Sequence, residues 1–516
     1  MGFSRASKRV LGVFAVVTAL FLSLGASGQM QDPMQGTLNN AIASYEGGDF
    51  AEAAMRFYDA YSGATTPLVF QTAEYYLGRS LMKLDLLQPA LYFLSRVLNA
   101  GASHKYFLDA AAAVVSLKER LNDDSIIPHY LNEAYSPDFA QIPPDVLYQI
   151  NYTVGAYQFR GRQYESAAQF LQAVDPKSPA YPRAQYLLGM IAFRAQNESQ
   201  ALEYFEEANR TSKGSFDPGI VRIYWLSTMA LARTHYQMGN YERADELYAS
   251  VPRFTDDWLD SIFEQAWAFF QRNELGRALG NVHTLLAPQF ADHYWPEAVL
   301  LAATAYFYSC NYGLAEETLA KYYENYEPMR GQMEKFMASP QSSFEIYYNL
   351  VANPWSEDKT PIPRKIHNYI AHNKRFKRFK SMVTRIDNEK QKIESTPMLM
   401  QSRMGNEVLG IITLLRQKLV EMSGQFAYSR MKYVTETLQG FYNQAALIKF
   451  EIQNAQKKSI LGGKDEALNI LRDVEALPRP KMPADYKYYH FNGEYWVDEL
   501  GYYVYTLSQN CPEEGD

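Results

Sequence analysis

The residues of this chain that could carry out covalent, metal or acid–base chemistry are few and scattered. Only two cysteines occur, Cys310 and Cys511. In an oxidising compartment they are a candidate disulfide, for which the chain-entropy model gives roughly 5 kcal/mol across so long a loop. The plainer reading is two separate thiols, because Cys310 stands at a turn position normally given to glycine. The eight histidines are His104, His129, His235, His283, His293, His367, His372 and His490, and none falls in a helical metalloprotease motif or beside a cysteine. No phosphate-cradling glycine loop occurs, and carboxylates such as Asp256, Asp257 and Glu264 stand without a catalytic partner. This inventory suggests no catalytic residue, no cofactor and no metal, and hence a protein that is not an enzyme.

Aromatic side chains are the better candidates, for recognition rather than reaction. Tyr152, Phe159, Tyr186, Phe193, Tyr236, Phe263, Trp267, Phe270 and Phe307 fall near fixed offsets from a recurring small residue. Rings spaced this way suit a binding face, since each combines apolar area with an adaptable edge. Stacking between neighbouring repeats explains the same spacing equally well. Trp267 is the first choice for a genuine contact.

The elements that would position these rings repeat. Alanine recurs at Ala53, Ala90, Ala167, Ala201, Ala244, Ala278 and Ala315, at spacings of 37, 77, 34, 43, 34 and 37 residues. Around Ala201 the pattern is Leu188, Gly189, Ala201, Phe205 and Ala208, and around Ala167 it is Gly155, Ala167, Leu171 and Val174. A small residue on each of two helices allows a close crossing that a large one fills. Near the start, Gly48-Asp49-Phe50-Ala51-Glu52-Ala53 with Phe57 and Ala60 is close to the tetratricopeptide consensus. Later units replace the glycine by alanine, as at Ala232, Ala266 and Ala303. The 77-residue gap predicts one degenerate helix pair over about 104–135. Seven recognisable units and one cryptic unit therefore place a tetratricopeptide-repeat solenoid at 37–330, an architecture that makes binding surfaces.

Residues 1–28 have the form of a secretory signal: Arg5, Lys8 and Arg9, an apolar run from Val10 to Leu22, and small residues ending Ala26-Ser27-Gly28. Cleavage is expected after Gly28, leaving a mature periplasmic protein with no transmembrane segment; an uncleaved anchor is the weaker reading, since the apolar run is shorter than the roughly 20 residues a span needs. The formal charge of −7, from 57 acidic and 50 basic residues, argues against nucleic acid as a partner.

Beyond the repeats, Pro328 is expected to end the array, and a connector with short helices should occupy 331–400. Its basic stretch, Arg364, Lys365, Lys374, Arg375, Lys377, Arg378 and Lys380 with Phe376 and Phe379 interleaved, could touch an anionic surface. Its plainer reading is a solvated helix face carrying two core phenylalanines. In 401–477, Val408, Ile412, Leu415, Leu419, Met422 and Phe426 form a heptad seam that resumes after a one-residue skip at Val434, Leu438, Phe441, Ala445, Ile448, Ile452 and Ala455. This predicts one long helix, or two broken near Gly424 or Gly440, packed against the 380–396 helix, the solenoid end or another chain. The segment 478–516 is a proline-rich linker and an aromatic tail, in which Asn492-Gly493 predicts a hairpin and a third strand at about 502–507 completes a docked β-meander. The fold class is accordingly all-α, a tetratricopeptide-repeat superhelix followed by heptad-patterned helices and a small C-terminal β-meander.

The tail, Gly493-Glu494-Tyr495-Trp496-x-Asp498-Glu499-Leu500-Gly501-Tyr502-Tyr503, follows tetratricopeptide repeats and a long helical segment. In this it resembles exported proteins encoded with the gliding-motility and Tol-like envelope machinery of myxobacteria and their relatives. The resemblance implies location and scaffold role only: a periplasmic protein holding other envelope proteins together. The alternative is a carbohydrate- or peptidoglycan-binding module that uses the aromatic face for sugars.

Overall fold

The computed structural model of the protein describes residues 32–461, 494–507 and 510–511. The expected signal at 1–28 and the Asn492-Gly493 turn lie outside the described residues.

Helices come in antiparallel pairs joined by tight turns. They are α1 (Gln35–Glu46) with α2 (Phe50–Gly63), α3 (Pro67–Lys83) with α4 (Leu87–Asn99), α5 (Phe107–Leu121) with α6 (Ile126–Glu133), and α7 (Pro144–Arg160) with α8 (Tyr164–Gln172). There follow α9 (Tyr181–Arg194) with α10 (Glu198–Ser212), α11 (Pro218–Gln237) with α12 (Tyr241–Ala249), α13 (Trp258–Gln271) with α14 (Leu275–Leu285), and α15 (Pro296–Tyr308) with α16 (Tyr312–Met337). The degenerate pair is α5–α6. Each turn is marked by one residue in the left-handed region: Gly48, Asp85, Asn122, Arg162, Gln196, Gly239, Asn273 and Cys310. Few side chains adopt that conformation without strain, so its recurrence once per pair defines the repeat more sharply than residue type does.

The crossing within a pair depends on the small residue. A methyl at Gly189 would come within 2.5 Å of the Phe205 ring, and one at Gly155 within 2.8 Å of Leu171. The alanines of the second helices, from Ala53 to Ala315, are completely or almost completely buried.

After the repeats come α17 (Phe344–Ala352), α18 (Arg364–Ala371), α19 (Lys374–Glu394), α20 (Pro397–Met400) and α21 (Arg403–Leu461). Pro328 does not end its helix; α16 runs through it to Met337. Nor does α21 break at Gly424 or Gly440. Gly424 is required by packing, since a Cβ there would overlap the carbonyl of Phe344. Across the one-residue skip in the seam, Ala427 and Met431 are fully buried and carry the apolar line, while Met422 turns outward.

The described residues fall into two compact units, one drawn from 1–117 and 388–412, the other from 118–387 and 413–516. In the first, Glu389 accepts from the backbone N–H of Gln88 at 3.0 Å and Lys392 donates to the carbonyl of Leu84 at 2.7 Å. In the second, α21 finds partners within the chain. Tyr428 meets Phe344 and Tyr347 on α17, Phe426 meets Phe379 on α19, and Tyr442 meets Tyr323 on α16.

The fold class needs one correction. The described residues contain helices and no strand, and no β-meander forms at 502–507: the tail from Glu494 to Leu507 is turn and extended chain outside any sheet. Its backbone meets helices instead. The amide of Tyr505 donates to the carbonyl of Gly276 at 2.9 Å, and that of Gly501 to the Thr284 hydroxyl at 2.9 Å. Cys310 and Cys511 are joined in a disulfide.

Candidate functional site

The nine aromatic candidates lie on the first helices α7, α9, α11, α13 and α15, and all are half-buried. They divide into two groups. One braces the inter-helix turns. Phe159 meets Tyr164 with ring centroids 5.7 Å apart, Tyr236 meets Tyr241 at 5.2 Å and Phe307 meets Tyr312 at 5.9 Å. In each case the ring near the end of the first helix rests on the first residue of the second. Tyr45 and Phe50 repeat the contact at 5.4 Å in the first pair. Phe193 packs beside Phe205 and Ala201. Phe263 lies against Trp295 at 5.4 Å. Trp267 meets Phe270 edge-on at 5.7 Å, and Phe270 meets the exposed Tyr308 of the next repeat at 5.6 Å. These three rings form a continuous aromatic patch.

Tyr152 and Tyr186 belong to the second group, set among charges. The Lys118 ammonium lies 5.4 Å from the centre of the Tyr152 ring. Burial raises the Tyr152 phenol above its ordinary range, and Arg183, Asp124, Arg160 and Arg378 surround it. Burial likewise lowers the Lys118 ammonium, opposed by Asp124 and reinforced by Arg160 and Arg183. Tyr186 is raised by burial, with Arg233, Asp257 and Arg222 nearby.

Sequence reasoning missed the partners of the basic stretch. They are repeat acids: Arg378 of α19 pairs with Asp124, Lys374 of α19 reaches Asp257 at 2.9 Å and Arg364 of α18 reaches Asp292 at 2.8 Å. Phe376 and Phe379 are buried, as the plainer reading of that stretch holds, but these cations are paired to repeat acids rather than merely solvated. Arg375 lies over Phe379 and Phe426 at 5.6 and 5.1 Å. Alternating acids and cations at 124, 257 and 292 against 378, 374 and 364 are the only sequence trace of this docking. The repeats add their own pair, Arg233 gripping both oxygens of Glu264 at 2.6 and 2.7 Å.

A second surface is covered by the tail. Leu500 and Tyr503 are buried among Trp258, Ile262, Leu279 and Val282. Arg253 donates to the carbonyls of Val497 and Asp498 at 2.7 and 3.1 Å. His283 stacks on Tyr495 with centroids 4.0 Å apart. Its Nε2 pairs with the Glu494 carbonyl and its Nδ1 with the Tyr505 hydroxyl, each at 3.2 Å. A carbonyl can only accept, so Nε2 carries the proton and Nδ1 accepts from the phenol. Burial lowers this imidazole below its ordinary range, opposed by Glu494. A cavity of about 250 Å³ lies beside the tail, lined by Tyr248, Arg253, Trp258, Phe269, Asn281 and Tyr503. Among the described residues no group of histidine, cysteine and carboxylate is arranged to hold a metal, and no helix is long and apolar enough to cross a membrane.

No protein-family model and no curated protein matches the sequence. Among solved structures, the chain is similar to the tetratricopeptide-repeat domain of P58(IPK) at 13% identity, over 76% of this chain and 99% of that one, with a TM-score of 0.19. So low a score adds nothing to the argument, and the description of the chain as tetratricopeptide-like rests on its own helix pairs and their turns.

Proposed function

We propose that this protein is an exported scaffold that holds other envelope proteins in one assembly, in machinery of the gliding-motility or Tol-like kind. Repeated helix pairs offer extended surface for protein partners and no reaction centre. The observation that carries the compartment is the Cys310–Cys511 disulfide, since such bonds form and persist where thiols are oxidised. The N-terminal 28 residues have the composition of an export signal.

Acids at 124, 257 and 292 are engaged by Arg378, Lys374 and Arg364, so partner contact is assigned to the aromatic patch instead. Trp267, Phe270 and Tyr308 form that patch, and aromatic anchors of this kind dominate protein interfaces.

Affinity purification from cross-linked envelopes tests the reading, with the native N-terminus determined by mass spectrometry. Envelope proteins should be recovered with the wild type and several-fold less with Trp267→Ala/Phe270→Ala, at unchanged helicity. Recovery with an intact Met1 would overturn export, and equal recovery with the double variant would overturn the patch.

A further inference from the structure

The tail lies on helices α13 to α15 as a bound peptide lies on a receptor. From Tyr503 to Leu507 the residues alternate: Tyr503 is buried, Val504 exposed, Tyr505 half-buried, Thr506 exposed and Leu507 half-buried. That is the period of extended chain. The floor beneath it is bare. A Cβ at Gly280 would overlap the carbonyl of Tyr503, and one at Gly276 that of Tyr505. The groove thus takes the backbone through Gly276, Thr284 and Arg253, and alternate side chains through the apolar cluster around Trp258 and Ile262. Backbone bonds with pockets for alternate side chains are how an extended peptide is recognised.

We propose that this groove is an interface between copies of the chain, accepting the tail of a second copy in place of its own. A second copy presents the same Leu500-x-x-Tyr503-x-Tyr505 spacing and the same terminal cysteine, so complementarity is already built. Thirty-two residues, 462–493, join the tail to α21 in sequence. Exchange of an identical element between protomers requires no new interface chemistry. The disulfide then fixes whichever arrangement is present when it closes. With glutathione disulfide as oxidant, the Cys511 thiolate displaces one glutathione thiolate to form a mixed disulfide. The Cys310 thiolate of the second copy then attacks the Cys511 sulfur and releases the other. One S–S bond is made and one consumed, and the two electrons reside on two glutathione thiols. In a single copy the tail competes at an effective concentration of order millimolar, so exchange requires crowding of copies. The inference stands apart from which proteins the repeats hold.

The test uses the full-length wild type prepared with light and heavy nitrogen. Equal amounts are mixed, reduced with a dithiol, concentrated and reoxidised with glutathione disulfide, and peptides spanning Cys310–Cys511 are weighed. Hybrid-isotope peptides should appear and rise with protein concentration. They should fall several-fold with Tyr503→Ala in the tail or, independently, with Gly280→Val in the groove. Same-isotope peptides alone at every concentration would overturn the proposal. Hybrids that neither variant reduces would also overturn it, since they would report random thiol collision.

Discussion

Only Gly48 and Gly239 supply glycine at the eight left-handed turn positions; Asp85, Asn122, Arg162, Gln196, Asn273 and Cys310 hold that conformation with a side chain. A side chain there costs on the order of 1 kcal/mol. Gln196→Gly should therefore raise the unfolding free energy by about 0.5–1 kcal/mol, read as a higher melting temperature, with the loss of unfolded-state order in part offsetting the gain. The converse holds inside the crossing. Gly189→Val drives a methyl into the Phe205 ring, and overpacking of that kind costs about 1–3 kcal/mol, so denaturant unfolding should shift to a lower midpoint. The sequence weighed Cys310 as a turn residue against Cys310 as a bonded thiol, and the molecule uses it for both. A positive φ constrains the backbone, whereas a disulfide constrains where Cβ and sulfur point, so neither role excludes the other.

At the level of elements, period was legible and partner was not. The strand expected at 502–507 is extended chain with alternate residues buried from Tyr503 to Leu507, but the surface facing it is a helix floored by Gly276 and Gly280 rather than another strand. The heptad seam in α21 was legible for a related reason, since each of its positions repeats the same packing demand; its skip concealed only the handover to Ala427 and Met431. Docking of the tail carries a pH dependence whose direction follows from His283. Glu494, Tyr495, Tyr503 and Tyr505 face the imidazole, and burial depresses its pKa below 6.5. A released tail leaves the ring free to take a proton near its ordinary value, while the docked tail resists protonation. Docking is thus at full strength above about pH 6.5 and weakens as pH falls below it. Hydrogen exchange at residues 494–507, corrected for intrinsic rates, should show protection declining from pH 7.5 to 5.5 in the wild type. In His283→Gln that pH dependence should vanish.

Along the described helices the repeats were readable because one packing problem recurs, with seven of the eight pairs leaving a small residue, a large residue and a turn at similar offsets. What pairs with the acids between the repeat helices of the second unit was not readable. The match of Asp124 with Arg378 and Asp257 with Lys374 joins single positions far apart in sequence, and a unique long-range pair has no period to betray it. The Cys310–Cys511 bond is of the same kind, and its energetic consequence can be measured. It spans a sequence separation of 201 residues, for which restriction of the unfolded chain gives about 5 kcal/mol at most. Cys511→Ser should lower the melting temperature, because Leu500 and Tyr503 lie in the same apolar cluster as Trp258 and Leu279 and their attachment then depends on non-covalent docking alone. Adding Gly280→Val to Cys511→Ser should cost further stability, because Gly276, Thr284 and the apolar cluster around Trp258 still seat the tail without its disulfide. No further loss in the double variant would show instead that the sulfur link, rather than the groove, holds the tail in place.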